Sequence, residues 1–77
     1  MKLMMITSYK KNINTKYGVK HIINGLLYEP IDVGIVGRQN YTVWTDASKL
    51  QVEPDIIGKD LYCTIGLDKK MRNLEVK

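Results

Sequence analysis

The 77 residues with one cysteine read as a single domain, residues 1–77, without a disulfide framework. Hydrophobic residues at 44% and charged residues at 26% exclude a disordered chain. No apolar run approaches the roughly 18 residues of a membrane-spanning helix. The net charge of +4 is unevenly placed, with five lysines and no carboxylate in residues 1–27, a net −3 in 28–60 and a net +2 in 61–77.

Met1-Lys2-Leu3-Met4-Met5-Ile6 begins like a signal peptide, but Thr7-Ser8 and the lysines behind them end the apolar run, so a cytoplasmic protein is expected. Residues 3–9 predict a strand, 10–15 a polar loop and 17–23 a second strand. Asn24-Gly25, between Ile22-Ile23 and Leu26-Leu27, predicts a two-residue type I′ hairpin turn, because such a turn needs positive φ at both central residues. Residues 26–28 then begin the return strand, and Pro30, lacking a donor, marks an edge, a bulge or a bend.

Ile31, Val33 and Ile35 alternate with Asp32 and Gly34 as another strand or a continuation. Residues 41–44 are a short strand, 45–49 one helical turn or a loop, and 50–52 a brief pairing segment. Leu61, Cys63, Ile65 and Leu67 share one face of an alternating strand, and Leu74 and Val76 one face of the last. The fold class expected is all-β: a small five- or six-stranded partly open barrel, OB-like, with an SH3-like barrel as the alternative.

The Asn24-Gly25 turn would set Lys20 opposite Glu29 and place Tyr17, His21 and Tyr28 on one face. With Ile31, Val33 and Ile35 in the core, those three rings stand outside, beside the lysines of the preceding loop. A bulge at Glu29-Pro30 would reverse the parity and bury them. Exposed rings stack bases and lysines neutralise phosphates, which is the chemistry of single-strand binding. The candidate nucleic-acid-binding residues are therefore Lys10, Lys11, Lys16, Tyr17, Lys20, His21 and Tyr28, with Lys69, Lys70 and Arg72 of the last hairpin as a second charged wall. The competing view of every lysine cluster is a solvated turn.

His21 and Cys63 lack the clustered partners of a zinc site, and nothing supplies His21 with a nucleophile and an orienting group. Cys63 is expected as a small buried hydrophobe, and Trp44 as a core residue by default or an exposed stacking ring. Gly34-Ile35-Val36-Gly37 matches neither phosphate-loop pattern, so its glycines read as sheet bends. Neither enzymatic activity nor a cofactor is expected.

Lys16-Tyr17-Gly18-Val19-Lys20 after a basic loop, and Ile57-Gly58-Lys59-Asp60-Leu61-Tyr62-Cys63-Thr64-Ile65 before a closing hairpin, carry a resemblance. In these segments the chain is similar to the small OB-fold single-stranded DNA-binding proteins of phages and plasmids, the filamentous-phage type especially. The resemblance implies a homodimer that coats single strands through Tyr, Phe, Lys and Arg. The chain departs from it in having no Phe and only two arginines, which leaves stacking to the tyrosines and Trp44. Two functions follow as expectations: binding of single-stranded DNA or RNA, or a protein-interaction or inhibitor module from a phage or mobile element, docking by an edge strand or by an apolar hairpin tip at Ile23 and Leu26. A structural or assembly subunit is a third.

Overall fold

The computed structural model describes residues 1–68 and 70–77. Five antiparallel strands form one sheet: β1 (Lys2–Thr15), β2 (Gly18–Leu27), β3 (Asn40–Asp46), β4 (Asp60–Ile65) and β5 (Met71–Val76). The order is β3-β2-β1-β4-β5. Strand β4 returns through a long connection to lie beside β1, so β4-β1-β2-β3 is a Greek key, and β5 extends it. This order, with its open edges, is consistent with a small partly open five-stranded barrel. The sheet is not closed. Its edges, β3 and β5, nevertheless share one core: Val43 of β3 is buried in it, and Met71, Leu74 and Val76 of β5 pack against it.

The hairpin predicted at Asn24-Gly25 is elsewhere. β2 runs unbroken through both residues, and the chain reverses at Lys16-Tyr17. Gly18, at φ 110°, takes the left-handed conformation the turn needs. Thr15 closes it: its hydroxyl accepts from the Tyr17 N–H at 3.1 Å and donates to the Gly18 carbonyl at 2.8 Å. Gly25 serves a different purpose. A Cβ there would stand 2.5 Å from the Met5 carbonyl oxygen and 2.8 Å from the Met4 Sδ, so glycine permits a close approach of β1.

With no turn at residue 24, the alternation of β2 carries through. His21, Ile23, Gly25 and Leu27 face the core; Lys20, Ile22, Asn24 and Leu26 face away. Ile23 is therefore buried, and the apolar hairpin tip expected at Ile23 and Leu26 does not form. Lys20 pairs with Asp46 of β3, not with Glu29. Residues 28–39, where Ile31, Val33 and Ile35 suggested a strand, form an irregular loop on which those residues and Val36 are exposed. Residues 50–52 pair with no strand, although Val52 is buried in the core. The segment after β3 is a turn closed by the Lys49 N–H on the Asp46 carbonyl at 3.0 Å.

β1 bends around the core by means of bulges. One lies opposite the Tyr62–Leu61 step of β4, and it lets consecutive Leu3 and Met4 both point inward. Leu3, Met4, Ile6, Ile23, Leu27, Val43, Leu61 and Cys63 form the interior, and Val52 and Ile56 cover it from the β3–β4 connection, which holds a short 3₁₀ turn at Pro54–Ile56. Each fully buried aliphatic side chain contributes about 1.5–3 kcal/mol. In β4 the predicted face holds for Leu61 and Cys63 and ends there; Ile65 is exposed, and Leu67 lies beyond the strand, fully exposed. No helix among the described residues is long and apolar enough to cross a membrane.

Candidate nucleic-acid interface

The face of β1–β2–β3 that points away from the core carries the chemistry. Directly paired residues of antiparallel strands share a face, so Lys10, Ile22 and Trp44 form one row. Beside it runs a polar row. The Asn24 Nδ2 donates to the Ser8 Oγ at 3.3 Å, and the Thr42 hydroxyl donates to the Asn24 Oδ1 at 2.7 Å. On the other side, Lys20 pairs with Asp46. Trp44 is 56% exposed, a large ring held open on a sheet rather than a core residue.

Where this face meets β5 there is a cleft of about 610 Å³. Lys20, Trp44, Asp46 and Lys49 form one wall, and Met71, Arg72, Asn73 and Leu74 the other. Its lining holds three cations against one carboxylate. Asp46 is bracketed by Lys20 and by Lys49 at 3.6 Å, and hydrogen bonding to Lys20 holds its carboxyl below the ordinary range. Asp68 accepts from both Arg72 terminal nitrogens, at 3.3 and 2.7 Å, with the same consequence for its carboxyl. Both acids stay ionised near neutrality and pair with these cations.

The β1–β2 arm borders the same face. At its tip Tyr17 is 76% exposed with the Lys16 ammonium 5.1 Å from its ring centroid. Lys11 leans on Glu53 at 3.4 Å. Lys10, Lys16 and Lys70 make no ion pair among the described residues, so their charges are uncompensated.

Five of the expected residues thus line this surface: Lys10, Lys16, Tyr17 and Lys20 on the arm, and Arg72 across the cleft; Lys11 turns to the other side, where it joins His21 and Glu53 around a second pocket. Lys70 is exposed in the β4–β5 turn, and Lys69 lies outside the described residues. The expectation for His21 is corrected, and Tyr28 is exposed as expected but stands apart from the arm. His21 points inward and is 5% exposed; its Nδ1 accepts from the Asn12 N–H at 3.1 Å, so the ring serves a β1 bulge at Asn12 (φ 60°) and is closed to stacking. Tyr28 sits past the end of β2 with Lys2 and Arg38 each 4.7 Å from its ring centroid, and its hydroxyl donates to Asp60. That bond pushes the Tyr28 hydroxyl up and the Asp60 carboxyl down, and ties the ring into a surface network. Sequence reasoning missed Lys49 and Asn73 and left Trp44 undecided. The signal for Trp44 was present: it shares strand parity with Thr42 and Asp46, a polar face.

Cys63 is buried as expected, and burial pushes its thiol up. Among the described residues no cluster of three His, Cys, Asp or Glu side chains suits a metal ion. No family model, curated protein or solved structure matches this chain.

Proposed function

We propose that this protein binds single-stranded nucleic acid across the outer β2–β3 face, between the β1–β2 arm and the β5 wall. The observation that carries the reading is Trp44: an exposed indole in a cleft whose lining is net cationic. Bases stack on such a ring at about 1–3 kcal/mol each regardless of sequence, while Lys10, Lys16, Lys20 and Lys49 neutralise the backbone. The partly open five-stranded barrel supports the reading, because in the OB type the strand 2–3 face and the first and last hairpin loops are where oligonucleotides bind. Tyr17 is a second stacking ring at the rim.

The test is a titration of oligo-dT, and separately oligo-U, followed by the fluorescence of Trp44, the one tryptophan. It is run at about 50 and about 200 mM salt, a range over which phosphate contacts lose orders of magnitude in affinity. Quenching with steep salt dependence is expected. Weak binding without quenching would remove the reading. A preference between the two oligomers would separate DNA from RNA.

One observation favours a second reading, a protein-interaction or inhibitor module: Ile31, Val33, Ile35 and Val36 are exposed together on the loop of residues 28–39. Capture of one stoichiometric host protein, abolished by Val33→Asp with Val36→Asp in a chain without oligonucleotide affinity, would establish it. The same loop offers the apolar surface of a homodimer, which sedimentation of the wild type and of that variant tests.

A further inference from the structure

The cleft contains more than a sequence-blind binder needs. Stacking and phosphate neutralisation require only Trp44 and the cations, yet Asn73 also lines it. Asn73 occupies its place by a deliberate backbone departure. Between the Tyr62–Glu75 and Thr64–Arg72 pairs, β5 carries an extra residue, and Asn73 there has φ 56°. A bulge of this kind re-aims a side chain, and asparagine is among the few non-glycine residues that tolerate the left-handed region. The other positive-φ asparagine, Asn12, has a local reason in its bond to His21. Asn73 has none: its amide finds no partner among the described residues, while neighbouring Arg72 is held by Asp68 at 2.7 Å.

We infer that the cleft reads the base stacked on Trp44 and prefers adenine, with Asn73 as the specificity-determining residue. This rests on the single-strand reading above. An asparagine amide presents one donor and one acceptor side by side, matching the amino group and adjacent ring nitrogen of adenine. Asp46 is taken up by Lys20 and Lys49, so the discrimination rests on the Asn73 amide. Arg72, the residue suited to guanine, is already taken up by Asp68. The larger purine ring also covers more of the indole than a pyrimidine does.

The experiment compares a thymidine oligomer of about twelve nucleotides, within the span of one such barrel, with the same strand carrying one central adenine. Affinities are measured for the wild type, Asn73→Gly and Trp44→Ala. Glycine keeps the positive φ without strain, so the variant loses the amide and not the bulge. The wild type binds the adenine strand at least about fivefold more tightly. Asn73→Gly loses that gain and keeps its affinity for the thymidine strand, and Trp44→Ala weakens both. Equal wild-type affinity for the two strands, or an undiminished adenine gain in Asn73→Gly, overturns the inference and leaves the single-strand reading standing. No binding of either strand by the wild type removes both.

Discussion

Trp44 and Gly25 show how single residues set this surface. Trp44 follows the parity of Thr42 and Asp46, while Val43 and Thr45 turn inward. Replacing the ring with alanine is expected to weaken single-strand binding by about 1–3 kcal/mol without unfolding the protein, since the side chain is outside the core; thermal melting run beside the titration checks both parts. Gly25→Ala should act the opposite way. Its Cβ meets backbone at 2.5 Å, contact that no rotamer relieves, so overpacking should cost about 1–3 kcal/mol, read as a lowered urea midpoint. Cys63 should resist thiol reagents in the folded chain and react on denaturation, because the thiol is buried and its ionisation disfavoured.

Among the elements, the β1–β2 arm combines a structural joint with an electrostatic edge. His21 satisfies the Asn12 amide at the bulge where the arm leaves the barrel body. His21→Ala removes a buried ring and its part-buried bond to the Asn12 N–H, and should destabilise by about 1–3 kcal/mol. Lys10 and Lys16 are different, since they hold nothing in place. Replacing both with alanine should leave the melting temperature near that of the wild type. It should also reduce the slope of log K against log salt by about 1.4, from about 0.7 per single-strand phosphate contact. An unchanged slope would place the backbone elsewhere. The β5 bulge is the matching device on the opposite wall, where it brings Asn73 to the cleft.

For the whole molecule, ion pairs and hydrogen bonds at the ends and turns of the strands shape the pH dependence. Asp46, Asp60 and Asp68 have carboxyls held below their ordinary value by Lys20, Tyr28 and Arg72 respectively. A depressed folded value means stability that is present above the ordinary carboxylate range and lost as pH falls through the folded values. Lys2 and Tyr28 are pushed up through Asp60, and their contribution is present below their ordinary values and lost as pH rises through the folded ones. The melting temperature should therefore be flat across neutral pH and decline on both sides. Asp60→Asn should flatten both limbs together, because Asp60 serves Lys2 and Tyr28 at once.

By itself the sequence determined the class of fold and part of the candidate site. Short alternating runs without helical periodicity specify strands whatever surrounds them, and all five strands overlap predicted ones. Cys63 and Leu61 were placed inside by period two alone, and the exposed lysines of the arm by their charge. Tertiary structure decided where the chain turns. Asn24-Gly25 satisfies a hairpin locally, yet the same glycine satisfies a close strand crossing, and only the presence of Met4 and Met5 against it selects the second. That choice reversed the parity of half of β2, moved His21 inward and separated Tyr28 from the arm. It also released the aliphatic residues of the 28–39 loop from the core. The cleft was out of reach for a related reason: β3 and β5 are far apart in sequence and share no hydrogen bonds among the described residues, and the curl of one sheet over a common core brings Trp44 and Asn73 into the lining of one cleft.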